Sequence, residues 1–148
     1  HLTKDSVDRI LKMEVSHGMN SLDFYLDFQN KVDNLKIRSL EFLIAKKIEG
    51  KRIVGYGAAS KGNTFLNYCG IKGNDLIEFV VDASPYKQGK YLPGSHIPVL
   101  KEDFIKKERP DYIIILPWNL RDEISDQLRY IREWNGKFVT FIPNLQEF

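Results

Sequence analysis

Apolar residues recur at helical spacing through the first third of the chain. Residues 6–18 have the pattern of a short amphipathic helix, with Ser6 as a candidate N-cap and Gly18 at its end. Ser21 is predicted to cap a second, much longer helix over residues 21–49. The sequence therefore predicts a helical N-terminal region in which the long helix packs on whatever follows it.

Beyond residue 50 the pattern changes to short apolar runs that alternate with amphipathic segments. We predict strands at 51–57, 75–85, 111–117 and 136–143, helices at 61–70, 100–109 and 119–134, and a long turn-rich connection over 83–98. Strands that alternate with helices are typical of a parallel sheet covered on both faces. The prediction is an α/β, Rossmann-like three-layer domain with a mostly parallel sheet of four to five strands, preceded by a long N-terminal helix.

Composition narrows the function classes. The 148 residues are 43% hydrophobic and 28% charged, as in one ordinary globular domain. A net charge of +2, with basic and acidic residues interleaved, argues against nucleic acid as a partner. One cysteine and three scattered histidines predict no metal site and favour a reducing, cytoplasmic setting. No apolar run is long enough to predict a membrane span.

A glycine-rich stretch, GYGAASKGNT, lies between the first predicted strand and the next helix. It departs from G-x-G-x-x-G because Ser60 stands at the third position, and from a Walker A loop because Lys61 precedes Gly62. A glycine turn that opens a helix still offers backbone N–H groups to an anion, although it can also merely pack the strand on the helix. The candidate phosphate-binding residues are Gly55, Gly57, Ser60, Lys61, Gly62, Asn63 and Thr64.

Three more candidates follow other predicted strands, at the edge of the sheet where ligands bind in such folds. Asp82 holds the place of a ribose-binding acid, and equally that of a residue that opens an Asx turn. Asn119 is predicted to cap the helix at 119–134. Trp118 is either a platform for a ligand ring or rim packing.

The connection at 83–98 is long for a compact domain, and such loops are often functional. Lys87 and Lys90 are placed to contact a phosphate, and Tyr86 and Tyr91 to stack on a base or sugar. No nucleophile–base pair and no converging carboxylates accompany them. Four predicted strands are also fewer than the roughly six of a complete dinucleotide fold. The residues therefore predict half a nucleotide site better than an active site.

Three stretches, taken in order, resemble one family. VGYGAASKGNTFLNYCGI, VVDASPYKQGKYLPGSHIPV and PDYIIILPWNLRDEISDQLRYIREWNGKFVTFIPNL look like the C-terminal domain of sugar C-methyltransferases that use S-adenosylmethionine (SAM). The resemblance covers residues 20–145. The family residues that carry over are Gly55, Gly57, Lys61, Gly62, Asn63 and Thr64 in the first stretch, Asp82, Lys87, Gly89, Pro93 and Gly94 in the second, and Pro117, Trp118 and Asn119 in the third.

The resemblance implies a division of labour. Residues 20–148 would form a Rossmann-like C-terminal domain that binds a nucleotide-linked sugar and does not catalyse by itself. Residues 1–19 would be the tail of a preceding methyltransferase domain or a linker helix. That upstream domain, a partner of this one, would hold SAM and the catalytic residues, so no cofactor is expected in this chain.

Two alternatives stay open at this point. One is a small NAD(P)-binding oxidoreductase domain. The other is a purely structural or dimerising domain. Under any of these interpretations, a second copy of the chain is a candidate packing partner for residues 1–19.

Overall fold

The computed structural model describes residues 3–73 and 75–148 of the chain. The chain forms two compact units, His1–Asn34 and Leu35–Phe148. Two positions of the predicted N-terminal tail, 1 and 2, lie outside the described residues. The predicted boundary between residues 19 and 20 stays a prediction.

The N-terminal helices differ from the prediction in where they begin and end. They are α1 at Thr3–Ser16, α2 at Asp23–Leu26 and α3 at Phe28–Ile48. The predicted N-cap at Ser6 is wrong because the first helix already begins at Thr3. The long helix is confirmed over Phe28–Ile48, but its first part is separated as α2 by Asp27, which leaves the helical region at φ −91° and ψ 4°.

Ser21 does not cap a helix. Its hydroxyl donates 2.8 Å to the carbonyl oxygen of Gly18, whose φ of +74° turns the chain after α1. The residue at the N-cap of α2 is Leu22, which makes no side-chain cap. The serine therefore stabilises a turn between two helices, a local alternative that small hydroxyl side chains offer the backbone.

The second unit holds a seven-stranded sheet among the described residues. Its strands are β1 at Ile53–Tyr56, β2 at Val80–Val81, β3 at Lys90–Tyr91, β4 at Pro98–Leu100, β5 at Tyr112–Ile115, β6 at Lys137–Thr140 and β7 at Gln146–Glu147. Its helices after α3 are α4 at Ser60–Cys69, α5 at Asp103–Glu108 and α6 at Arg121–Gln127. The strand order is β3-β4-β2-β1-β5-β6-β7, with antiparallel pairing only for β3 on β4 and β7 on β6.

The mostly parallel α/β sheet is confirmed, but the count of four to five strands is wrong. β3 and β4 arise from the stretch that we predicted to be a turn-rich connection and the start of a helix. Each has two or three residues, too few for a periodic pattern, and β4 is fixed by parallel pairing with β2 from a distant part of the chain. β7 is a short, exposed polar strand at the opposite edge.

The core has the three layers that alternating strands and helices predict. Along β5, Tyr112 and Ile114 belong to the cluster that contains Leu43 of α3 and Leu66 of α4. Ile113 and Ile115 face the other cluster, with residues of α5 and α6. All four β5 side chains are buried, so both faces of this central strand are covered, as the alternation of strands and helices predicted.

The predicted helix at 119–134 is confirmed only over α6. A 3₁₀ turn at Trp118–Leu120 precedes α6, and a second 3₁₀ segment at Arg129–Trp134 follows it. Pro117 holds the N-cap position of the first turn, and no side-chain cap forms there. The predicted capping role of Asn119 is therefore wrong, since the residue lies inside the turn.

Candidate functional site

The glycines of the first loop permit close packing at the carboxyl edge of the sheet. Gly57 has φ +87°, and a Cβ on it would lie 2.6 Å from Cδ of Pro117. A Cβ on Gly62 would lie 2.6 Å from Cβ of Leu116. At Gly55 the nearest atom would be Cγ2 of Val80, at 2.8 Å. Gly55 and Gly57 therefore let β1 approach β2 and the residue that follows the β5 run, and Gly62 lets α4 approach Leu116.

The order of the strands switches sides at β1, because the chain adds β2 on one side of it and later β5 on the other, both parallel to β1. Ligands in doubly wound sheets bind outside the strand ends at such a point. At this point Pro117, which follows β5, packs closely against Gly57. A cavity lies on the side of β4.

Asp82 directly follows β2 and is buried, with 8% of its surface exposed, and it accepts several hydrogen bonds. Its Oδ2 accepts hydrogen bonds from the backbone N–H of Ala58 at 2.7 Å and from Nζ of Lys87 at 3.1 Å. Its Oδ1 accepts 2.8 Å from the N–H of Ser84, which completes an Asx turn. Asp82 thus ties the glycine loop to the connection that follows β2.

Lys61, Trp118 and Asn119 come together on the β5 side of the loop. Nζ of Lys61 donates to Oδ1 of Asn119 and lies 4.7 Å from the ring centroid of Trp118. Both partners of this ammonium group are formally neutral. The lysine therefore keeps an uncompensated positive charge beside the first turn of α4.

A cavity of about 430 Å³ lies on the other side of the loop, between the start of α4 and the hairpin that contains β3 and β4. Its lining combines small residues, neutral donors, two lysines and two tyrosines: Ala58, Ala59, Ser60, Asn63, Thr64, Tyr86, Lys87, Lys90, Tyr91, Leu92, Pro93 and Val99. Tyr86 is 83% exposed and Tyr91 65% exposed. The structure therefore brings Ser60, Asn63, Thr64 and Lys87 together, whereas Lys61, Trp118 and Asn119 form the neighbouring group.

The first turn of α4 points polar backbone groups toward this region. Ala59 is the N-cap residue and makes no side-chain cap, so the N–H groups of Ser60, Lys61 and Gly62 have no helical acceptor. The helix is 10 residues long and ends at Gly70 in the left-handed conformation, as predicted. Its N-terminus carries the partial positive charge that favours an anion.

The hairpin that closes the cavity is hydrogen-bonded to α4 and to the segment that follows it. Nδ2 of Asn67 donates 2.9 Å to the carbonyl oxygen of Pro93, and Nζ of Lys72 donates 2.9 Å to that of Gly94. A Cβ on Gly94 would lie 2.3 Å from Oδ1 of Asn67. The glycine is thus required where the hairpin meets the helix.

Sequence reasoning missed a polar group on the opposite face of β1. The hydroxyl of Tyr56 donates 2.9 Å to Oε2 of Glu102, and Nε2 of Gln127 donates to both side chains. Burial, followed by the hydrogen bond to Glu102, raises the pKa of Tyr56 well above its usual range. The position of Tyr56 within a predicted strand did not indicate this contact. The contact connects Glu102, at the N-cap of α5, with Gln127 of α6.

A second cavity, of about 380 Å³, lies near the amino end of β1, and ion pairs connect several of the residues that line it. The guanidinium of Arg52 contacts Glu78 at 2.6 Å and Glu108 at 3.1 Å. The hydrogen bond to Glu78 is the main cause that raises the pKa of Arg52. One guanidinium thus bridges two carboxylates beside the amino end of β1.

Within residues 3–73 and 75–148, no group of three or more His, Cys, Asp or Glu side chains is arranged to hold a metal ion. Over the same residues, none of the helices has the length and apolar character needed to cross a membrane.

Comparison with known proteins identifies relatives. Residues 1–143 match the family described as the C-methyltransferase C-terminal domain. The C-methyltransferase NovU of Streptomyces niveus is 34% identical over 143 residues, which is 97% of this chain and 34% of NovU. The chain therefore spans about a third of the curated relative it matches.

A solved structure shares the fold. UDP-D-quinovosamine 4-dehydrogenase from Vibrio fischeri superposes with a TM-score of 0.50 and 17% identity, over 66% of this chain and 93% of that one. At this identity the likeness supports the Rossmann-like fold alone.

Proposed function

The chain belongs to the C-terminal domain family of C-methyltransferases, and from this premise we propose that it binds the nucleotide-linked sugar substrate of a SAM-dependent enzyme. The binding site is the cavity between the start of α4 and the β3–β4 hairpin. The observation that carries the proposal is the lining of this cavity, which combines a helix N-terminus, lysines and exposed tyrosines.

Each part of the lining suits one part of such a ligand. A volume of about 430 Å³ lies within the range of small-molecule sites. The free N–H groups at Ser60 to Gly62 suit a diphosphate. The exposed rings of Tyr86 and Tyr91 suit a base or a sugar face, because aromatic side chains present an apolar surface with a polar tip.

Lys61 and Lys87 contribute differently. Lys87 already pairs with the carboxylate of Asp82, so its charge is largely compensated. Lys61 does not line the cavity, but it belongs to the same first turn of α4 as the N–H groups proposed to bind the phosphate. Among the partners described it contacts only an amide oxygen and an indole ring, so its charge is available to a phosphate at that turn. Trp118 and Asn119 therefore act in the site by positioning this lysine.

The role proposed for Asp82 is support of the loop. Both of its carboxylate oxygens already accept hydrogen bonds from the protein, which leaves little capacity for ribose hydroxyl groups. This disfavours the alternative of an NAD(P)-dependent oxidoreductase, in which the acid at this position binds ribose. The purely structural alternative predicts that the cavity binds nothing.

We assign the methyl transfer to the part of the enzyme that this chain does not include. Binding SAM together with a second substrate calls for a further α/β domain, and among the described residues no nucleophile–base pair occurs in the cavity lining. In this proposal the chain binds the substrate and does not catalyse the methyl transfer.

Isothermal titration tests the proposal. A panel of nucleoside diphosphate sugars is titrated into the chain, and each matching nucleoside into a parallel sample at the same salt concentration. At least one nucleotide sugar is expected to bind at least tenfold more tightly than its nucleoside. Amide exchange at 58–64 and 86–93 is expected to slow with the ligand. No binding across the panel, in the chain and in the longer enzyme, would leave only the structural role.

A further inference from the structure

The N-terminal unit carries an apolar stripe on α1, defined here by Val7, Ile10, Leu11 and Val15. Val7, Leu11 and Val15 are four positions apart and Ile10 follows Val7 by three, so the four residues share one face of the helix. Each is about half exposed. The opposite face carries charged residues that include Asp5 and Arg9. An amphipathic helix with its apolar face in solvent lacks the burial that normally stabilises helices of this length.

The segment after α1 adds larger exposed apolar side chains. Leu22, Leu26 and Phe28 are 72%, 67% and 64% exposed. Single exposed apolar residues are ordinary, but two concentrations within one small unit indicate a surface that another body covers.

We infer that the stripe on α1 is the docking surface for the methyltransferase portion that precedes this domain in the same polypeptide. The inference rests on the proposed function, in which this chain is the C-terminal part of a larger enzyme. The chain covers 34% of NovU and matches a C-terminal domain family, so most of such an enzyme precedes α1.

Covalent continuity favours this occupant over a second copy of the chain. A body joined directly to the start of α1 meets the stripe at a high effective concentration. A second copy must instead overcome the loss of translational and rotational freedom on association. Burial of this stripe would fix the methyltransferase portion to the domain that holds the sugar.

Hydrogen–deuterium exchange of residues 5–16 tests the inference by comparing this chain with the longer polypeptide that contains it. The amides of α1 are expected to exchange at least tenfold more slowly in the longer polypeptide. The double variant Leu11→Gln/Val15→Gln should remove most of that protection there. Asp5→Gln/Arg9→Gln, with the same i,i+4 spacing on the opposite face, is the matched control and should retain it. Circular dichroism of each variant checks that it folds.

Equal exchange in the two proteins, or equal loss of protection in the two double variants, would overturn the inference. So would sedimentation that shows this chain to dimerise through the stripe, with the dimer abolished by Leu11→Gln/Val15→Gln. The readout does not depend on a nucleotide sugar. Failure here therefore leaves the binding proposal intact, and failure of every titration leaves this one intact.

Discussion

Oδ2 of Asp82 accepts a hydrogen bond of 2.7 Å from the backbone N–H of Ala58. The bond joins the end of β2 to the glycine loop that follows β1. Because Lys87 donates to the same oxygen, the carboxylate also draws in the connection that lines the cavity. One buried side chain therefore sets the positions of both walls of the proposed binding site.

Replacement of Asp82 should destabilise the domain. Asp82→Ala leaves the backbone N–H groups of the half-buried residues Ala58 and Ser84 without their acceptor, at a cost of about 1–3 kcal/mol in the free energy of unfolding. Urea denaturation measures the change. Asp122→Ala is the control, because the Asp122 side chain is 91% exposed and its loss should stay within about 0.5 kcal/mol. Equal effects would mean that Asp82 does not organise the loop.

Alanine substitutions at Gly57 and Gly50 distinguish the cost of an unfavourable backbone conformation from the cost of a steric clash. Both have positive φ, +87° and +73°, but only Gly57 has a neighbour that a Cβ would strike. Gly50→Ala should therefore cost only the conformational penalty, about 1 kcal/mol. Gly57→Ala should cost about 1–3 kcal/mol more, because its Cβ would be forced against Pro117. Similar losses of unfolding free energy in the two variants would refute the close approach of Pro117.

Acid should weaken the amino edge of the sheet through Asp111. Burial acts to raise the pKa of this carboxyl group, but hydrogen bonds from the backbone N–H of Arg52 and from Lys51 outweigh it, so the pKa is lowered. The stability that Asp111 contributes is therefore complete above its unfolded pKa of about 3.9 and is lost as the pH falls through the folded pKa.

The matching experiment compares the wild type with Asp111→Asn by urea denaturation at pH 7 and pH 3. The difference between the two proteins should shrink at the lower pH. A difference that is constant with pH would show that the carboxylate charge contributes nothing there.

Cys69 should be inert to thiol reagents in the folded protein. Burial raises the pKa of its thiol to about 11, and Lys36 lowers it only in part. At pH 8 the folded protein should react about a hundredfold more slowly than the urea-unfolded protein, because the thiolate is the reactive form. Rapid labelling without denaturant would show that α4 opens readily.

Some of this structure followed from sequence pattern alone. The apolar run of β5 and the helix α4, which Gly70 ends, carry enough residues for their periodicity and end signals to be recognised. β4 does not, because its three residues form a strand only through pairing with β2, a contact that no local pattern encodes. The hairpin that closes the cavity therefore could not be predicted from the sequence pattern.

The candidate site was likewise predicted as residues and not as an arrangement. The chain pattern placed Lys61, Asp82 and Asn119 at one edge of a sheet, which the topology confirms. The pattern predicted that Asn119 caps a helix, but the Asn119 side chain instead accepts a hydrogen bond from Lys61. That outcome depends on the 3₁₀ turn at Trp118–Leu120, a local geometry that the residue pattern did not predict.

The central claim is that the start of α4 binds the diphosphate of a nucleotide sugar, and Lys61→Ala tests it most directly. A charged hydrogen bond contributes about 1.5–3 kcal/mol, so the variant should bind the nucleotide sugar about ten- to a hundredfold more weakly by calorimetric titration. Binding of the nucleoside, which has no phosphate, should stay nearly unchanged. Lys106→Ala is the control, because it removes the same charge and a cation–π contact of the same 4.7 Å, made with Tyr130. Equal losses for nucleotide sugar and nucleoside, or no loss at all with Lys61→Ala, would contradict the claim and leave the loop as a connection between a strand and a helix.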